Sequence, residues 1–447
     1  MARAAIILAA GQGTRMKSAL PKVMHAVAGL PIVGHVIRAA RDAGVRKIVV
    51  VTAPGADALT AFAHAHGAET AVQDKQLGTG HAAASARGLL GDFHGTVVVT
   101  YGDMPLLTAA TFDAAFAAQM RTGMSLVAFR PEDPAAYGRV LLDKDGLLDR
   151  IVEFKDANAD IRAVGLCNAG IVTADVQNFF KWAAELRNEN AQNEYYLTDV
   201  PTIARTQGVK TSVVVADAAQ MMGVNSRSEL AAAESAMQAR LRAHALDAGA
   251  GMTAPETVFL CHDTVIEPDA QIGPFVVFGP GVTIKSGAEI KAFSHVEGAV
   301  VSKGALVGPY ARLRPGAVIE EDVHIGNFVE VKNSRIEKGA KANHLTYLGD
   351  ARVGAGANIG AGTITCNYDG FDKHHTDIGK GAFIGSNSAL VAPVSIGDGT
   401  YVGAGSVITK ETAPDSLAVT RADQKEIPGW AAKFRTRKKA ERAAKGK

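Results

Sequence analysis

Apolar positions along the chain keep two different rhythms. In residues 1–225 they come as short aliphatic runs: AAIILAA (4–10), KIVVVTA (47–53), TVVVTYGD (96–103), SLVAFR (125–130) and TSVVVAD (211–217). Runs this short and this rich in β-branched residues read as buried parallel strands. Between them lie stretches such as IVGHVIRAARDAG (32–44), apolar at helical spacing and closed by a glycine. Alternating strands and helices predict a layered α/β domain with a mostly parallel sheet.

The pattern changes at 226–249. Ser226 and Glu229 stand at capping-box spacing, and Leu230, Met237 and Leu241 fall near one helical face, which predicts a linker helix. From residue 250 to about 430 the apolar period becomes six. Ile266, Ile272, Phe278, Ile284, Ile290 and Val296 form one run, and Val301, Val307, Leu313, Ile319, Ile325 and Val331 a second after a one-residue slip. Ile378, Ile384, Leu390, Ile396, Val402 and Ile408 form a third. A helix does not hold a period of six on one face, and a simple strand has a period of two. A parallel β-helix does, with one aliphatic residue per side entering a narrow core. The stretch NHLTYLGD (343–350) reads as an interruption of that repeat, a corner at which His344 and Tyr347 could converge.

A length of 447 residues fits two domains, and 47 % hydrophobic with 21 % charged residues is ordinary for a globular chain. The net charge of +2 hides an asymmetry: residues 431–447 carry +7, leaving −5 on the rest. A mildly acidic body argues against a nucleic-acid partner, and the basic tail reads as a solvated segment. Cys167, Cys261 and Cys366 share no metal or redox spacing, as in a cytoplasmic protein. The N-terminal apolar run is too short for a signal peptide, and none approaches the ~20 residues of a membrane span, so no stable membrane association is expected.

Candidate chemistry begins at LAAGQGTRM (8–16), directly after a strand. Gly11 and Gly13 let backbone N–H groups approach a phosphate, but Met16 replaces the third glycine of a dinucleotide fingerprint and no Gly-Lys-Ser/Thr follows. Arg15 and Lys22 bring cations. Asp103 ends a parallel strand, where such sheets bind ligands, and its hard oxygens suit Mg²⁺ on a triphosphate.

These motifs, together with QLGTGHA (76–82), YGDMPL (101–106), CNAGI (167–171) and GVNSR (223–227), resemble sugar-1-phosphate nucleotidyltransferases. RLRPG (312–316), NFVEVKN (327–333), NHLTYLGD and GAGTITCNYDG (360–370) narrow the resemblance. The chain is similar, over all but its tail, to the bacterial bifunctional N-acetylglucosamine-1-phosphate uridylyltransferase / glucosamine-1-phosphate acetyltransferase family. That resemblance implies a Rossmann-like α/β nucleotidyltransferase domain (1–225), then a left-handed parallel β-helix of hexapeptide repeats (250–430). It also implies a cytoplasmic homotrimer that uses Mg²⁺, UTP and acetyl-CoA and supplies peptidoglycan and lipopolysaccharide synthesis.

In the first domain the resemblance places Leu8, Ala9, Ala10, Gly11, Arg15 and Lys22 along the nucleotide, with Gln73, Gly78 and Thr79 on the uracil side. It puts Tyr101, Gly102 and Asp103 at the centre, Gly138, Glu153 and Asn168 around the sugar, and Asn225 beside Asp103 as a metal ligand. In the second, an aminosugar amine needs a base, and His344 titrates in the useful range. By resemblance Arg314 and Lys332 hold the sugar phosphate, with Tyr347 and Asn358 completing the sugar site. Acetyl-CoA would lie along Ala361, Asn367, Tyr368, Ser386 and Ala404, with Arg421 near its phosphates. Asn343 departs from the small residue expected before the base. A β-helix that only assembles the enzyme would lack His344 beside a basic cluster, and a non-catalytic scaffold would have lost the glycine loop or Asp103.

Overall fold

A computed structural model describes residues 1–11, 13–190 and 192–445. The chain divides into two compact units: Met1–His244 with Phe259–His262, and Ala245–Val258 with Asp263–Lys447.

The first unit is built on a nine-stranded sheet. Its strands are β1 (Arg3–Leu8), β2 (Lys47–Thr52), β3 (Glu69–Val72), β4 (Thr96–Tyr101), β5 (Gly123–Phe129), β6 (Arg139–Leu142), β7 (Leu148–Val152), β8 (Cys167–Asp175) and β9 (Lys210–Ala216). The order is β9-β5-β8-β4-β1-β2-β3, with β6 and β7 attached at β8. β1 runs parallel to both β2 and β4. β8 runs antiparallel between β4 and β5, so the sheet is mixed where the sequence suggested a mostly parallel one. Alternate residues of β1 feed two cores: Ala4, Ile6 and Leu8 on one face, Ala5 and Ile7 on the other. Helices Ile32–Asp42 and Ala109–Thr122 cover one face, and Val176–Ala183 and Val200–Thr206 the other.

The chain leaves β1 toward β2 on one side, while β4 lies on the other. This reversal opens a crevice at the C-terminal ends of β1 and β4, the usual ligand position in open α/β sheets. Helix Arg227–Asp247 packs Met237, Leu230 and Leu241 against Met16, Val27 and Leu106 within the first unit up to His244. Its start departs slightly from a capping box. Ser226 Oγ accepts from the Glu229 N–H, but the Glu229 carboxylate accepts from Asn225 rather than from Ser226.

The second unit is a left-handed parallel β-helix of three sheets. In one sheet Ile272, Ile290, Val307, Ile325, Ala342, Ile359, Ile384 and Val402 are successive register partners. These side chains are essentially inaccessible to solvent, so each Ile or Val rung contributes roughly 1.5–3 kcal/mol of burial. The repeat does not stop at 343–350. It continues through Ala342, Leu348, Val353 and Ile359, all buried, with occasional five-residue steps. The true interruption is the loop between strands Ile364–Cys366 and Thr376–Ile378. In the basic tail, Trp430–Ala444 forms a helix with no buried residue.

Candidate functional site

The crevice in the first unit consists of two adjoining cavities. One is lined by Leu8, Ala9, Ala10, Gly11, Lys22, Gln73, Gly78 and Thr79; the other by Gly138, Glu153, Asn168 and Asn225. Thr79, Tyr101, Asp103 and Glu194 belong to both and form the shared wall. Leu8 and Tyr101 are register partners, and the Gly102 N–H donates to the Leu8 carbonyl (2.9 Å). Asp103 therefore emerges where the two strand ends meet.

At that point the Lys22 ammonium lies 2.5 Å from Asp103 Oδ2 and 2.9 Å from Asn225 Oδ1, largely shielded from solvent. The Asp103 carbonyl accepts from the Val224 N–H, tying the two segments together. Asp103 and Asn225 thus turn oxygen atoms toward one cation position, a donor set that fits a hard divalent ion. Gly13 has φ +60, and a Cβ there would stand 2.6 Å from Lys22 Cβ. The second glycine of the GxG turn is needed to seat the lysine stem.

The Tyr101 ring is fixed by a β-bulge between Asn168 and Ile171. The bulge carries Gly170 at φ +73 directly beneath the ring. Burial, with the Asp103 and Glu153 carboxylates beside it, pushes the Tyr101 phenol far above its ordinary value, so it stays neutral. Burial also raises the Glu153 carboxyl, against a hydrogen bond from Thr198. The sequence reading missed Gln76, whose side chain donates to the Ala10 carbonyl (2.7 Å), and Glu194 in the shared wall. Arg15 is exposed on the turn Thr14–Met16 and lines neither cavity, and Gly102 is buried beneath them.

In the second unit a vertical column follows from register. Asn327 pairs with His344, and Ala342, Ile359, Ile384 and Val402 are successive partners. Two residues beyond each of those four stand His344, Ala361, Ser386 and Ala404. A histidine therefore heads a lane of small side chains. At its far end the Arg421 guanidinium donates to the Ala404 carbonyl (2.5 Å). His344 Nδ1 lies 2.9 Å from Asn327 Oδ1, a partner the sequence reading did not select. Leu345, at φ +50, turns the corner after His344. Gly326 is pressed against the Asn343 backbone, where a Cβ would lie 2.0 Å from the Asn343 carbonyl oxygen.

Around that corner Tyr347 lies on the sheet of Lys332, its phenol over Gly349, the register partner of Lys332. Arg314 stands one coil earlier, paired with Glu330 at 2.7 Å. The ammonium of Lys332 is 3.5 Å from Asp350, which also accepts from Asn333 (2.6 Å) and from Asn367. Although burial pushes the Asp350 carboxyl up, those amides and Lys332 hold it below its ordinary value. Lys373, from the interrupting loop, is held below its ordinary value by the neighbouring charge of Lys332. Arg314, Lys332 and Lys373 make a cationic cluster suited to an anion. Asn358 lies instead on the sheet of His344, paired with Lys341 and Phe383, and Tyr368 pairs with Lys373 within the loop.

A nucleotidyltransferase-type crevice and a hexapeptide β-helix with a histidine-headed lane define a two-domain transferase. Residues 5–166 match the MobA-like NTP transferase domain, and 263–298 with 375–410 match the bacterial transferase hexapeptide (six repeats). The chain is 51 % identical to Bifunctional protein GlmU of Paramagnetospirillum magneticum, covering 99 % of this chain and 98 % of that protein. It is 55 % identical to Bifunctional protein GlmU of Rhodospirillum rubrum, covering 97 % of each. The chain belongs to the GlmU family of bifunctional enzymes, which join a nucleotidyltransferase to a hexapeptide acyltransferase.

Proposed function

We infer that the chain makes UDP-N-acetylglucosamine in two steps. The β-helix transfers acetyl from acetyl-CoA to glucosamine-1-phosphate. The first unit then joins the product to UTP and releases pyrophosphate. The observation that carries this reading is the wall of Tyr101 and Asp103 shared by two adjoining cavities, one for each reactant of a phosphoryl-transfer step.

In the acetyl step His344 takes a proton from the sugar amine as nitrogen attacks the thioester carbonyl. The C–N bond forms, the C–S bond breaks, and the proton passes to the departing thiolate. Arg314 and Lys332 hold the sugar phosphate, with Tyr347 and Asn358 at the sugar. The lane Ala361, Ser386 and Ala404 accommodates the thin pantetheine arm, flanked by Asn367 and Tyr368, with Arg421 toward the phosphates.

In the uridylyl step the attacking phosphate oxygen is already ionised, so positioning and charge neutralisation dominate. Leu8, Ala9, Ala10, Gly11, Gln73, Gly78 and Thr79 bind the nucleotide, with Arg15 and Lys22 toward the triphosphate. Gly138, Glu153 and Asn168 receive the sugar. Asp103 and Asn225 would hold Mg²⁺, which when bound neutralises the phosphate charge. A homotrimer is supported by a half-exposed corner stack of Phe275, Phe293, Tyr310 and Phe328 on the β-helix. A cytoplasmic location is in keeping with cysteines that share no metal or redox spacing in the sequence; no helix among the described residues is long and apolar enough to cross a membrane.

The test supplies purified protein with Mg²⁺, glucosamine-1-phosphate, acetyl-CoA and UTP and follows free thiol and pyrophosphate separately. Both should appear, with pyrophosphate dependent on the acetyl donor. Pyrophosphate from N-acetylglucosamine-1-phosphate without any thiol would reduce the β-helix to a scaffold.

A further inference from the structure

Among the described residues, one side chain is hydrogen-bonded to the ring of the base assigned to the acetyl step. His344 ends the strand Lys341–His344, and Asn327 ends the strand one coil earlier, His324–Asn327. The 17-residue coil between them makes the two residues register partners. Their side chains meet, Nδ1 to Oδ1, at 2.9 Å. The backbones are joined too: the Leu345 N–H donates to the Asn327 carbonyl (3.1 Å). Asn327 is half-buried, so this contact is better shielded than the exposed His344 ring alone suggests.

We propose that Asn327 is the positioning residue of the acetyltransferase, fixing His344 in the tautomer that carries its proton on Nδ1 and leaves Nε2 free as the base. The proposal rests on the reading of His344 given above. An amide oxygen only accepts, so the imidazole nitrogen facing it must donate. A ring nitrogen that donates in this way leaves its counterpart with a lone pair. The neighbours offer no substitute for this role. Ala361, next in the column, has no polar side chain. The titratable groups on the packed elements are His324 on the preceding strand, Lys341 on His344's own strand and Tyr347 across the corner. None of these is a bonded partner of the ring. A neutral acceptor also differs from a carboxylate: it fixes the tautomer without favouring the charged imidazolium.

The experiment compares wild type, Asn327→Leu, Asn327→Asp and His344→Ala. It measures acetyl-transfer kinetics across pH and the ¹⁵N chemical shifts of the His344 ring. In Asn327→Leu, kcat should fall roughly 10- to 100-fold, part of the 10²–10⁴ that a positioned base supplies, with both KM values little changed. The ring should lose its Nδ1–H bias. Asn327→Asp keeps the acceptor, so it should restore the bias and move the acid limb of kcat/KM to higher pH by about one unit. Uridylyl transfer by the same samples reports the first unit intact, and the thermal melt of the β-helix by circular dichroism reports the second folded. If Asn327→Leu keeps both its kcat and its Nδ1–H signal, the positioning role is overturned. If Asn327→Asp behaves as Asn327→Leu, an acceptor at that position is not what matters, and the proposal fails. If His344→Ala retains acetyl transfer, it is the base assignment itself that falls.

Discussion

The Lys22 ammonium bridges Asp103 and Asn225, at 2.5 and 2.9 Å, and so holds the place between the two oxygens best suited to a divalent ion. On the metal assignment proposed above, an ion and the lysine would compete for that place, and the displaced ammonium would turn toward the neighbouring nucleotide cavity. Lys22→Gln should therefore bind Mn²⁺ more tightly in the absence of nucleotide, by roughly tenfold, since a shielded ion pair is worth ~1–2 kcal/mol. The same change should lower uridylyl kcat about 10²- to 10³-fold, as removal of a transition-state cation does. Electron paramagnetic resonance of free Mn²⁺ reads the first effect without any turnover. Unchanged or weaker Mn²⁺ binding would sink the exchange.

Gly170 sets the position of Tyr101. A Cβ there would stand 2.0 Å from Tyr101 Cε2, on a backbone at φ +73. Gly170→Ala should destabilise the first unit by about 1–3 kcal/mol through strain and overpacking. It should also displace the ring from the wall between the two cavities. Uridylyl kcat/KM should drop while acetyl transfer is spared. An alanine variant with wild-type melting and uridylyl activity would show that the bulge does not hold the ring.

How much of this was legible beforehand differs between the two units. β1, β2, β4 and β5 are mostly aliphatic runs whose burial on both faces is written locally, whereas β9, read from the same kind of run, is an edge strand that leaves Val215 exposed. CNAGIVTAD, which becomes β8, mixes polar and glycine residues and gains its antiparallel place only by pairing with strands some 40 and 70 residues away. That non-local insertion made the sheet mixed. In the β-helix the aliphatic period showed the fold, but small core residues such as Ala342 disguised its continuation past His344. Asn327 became visible only once the 17-residue coil was known, because no local motif ties it to His344. Gln76 and Glu194 come from polar loop stretches with no periodic signal.

His35 makes the first unit sensitive to acid. Its ring is buried, with Nε2 2.8 Å from the Val27 carbonyl oxygen. Burial pushes its pKa down to about 4; the Val27 carbonyl works against this, and the charges of His262, Arg38 and Arg240 add to it. The folded value lies below the unfolded one, so between pH 6.5 and about 4 the unfolded chain binds the extra proton. Stability is therefore full above pH 6.5 and falls as pH drops toward 4, by roughly 3 kcal/mol in all. His35→Gln, which keeps a donor for Val27, should flatten that slope in denaturant unfolding followed by Trp182 fluorescence. An equally steep acid limb in the variant would assign it to other groups.

The two chemistries should come apart under single substitutions, because each unit carries its own set of reacting groups. His344→Ala removes the base proposed at the head of the small-residue lane. Acetyl transfer should fall ~10²- to 10⁴-fold while pyrophosphate release from UTP and N-acetylglucosamine-1-phosphate continues at its normal rate. Asp103→Ala removes the carboxylate at the meeting of β1 and β4 and leaves Lys22 with only Asn225. Uridylyl transfer should be lost and thiol release from acetyl-CoA should persist. Supplying both variants together should restore the full sequence, since the acetylated sugar phosphate made by the Asp103→Ala protein is the substrate the His344→Ala protein still uses. If either substitution silences both reactions in folded protein, the centres are not separate, and the assignment of one reaction to each unit is wrong.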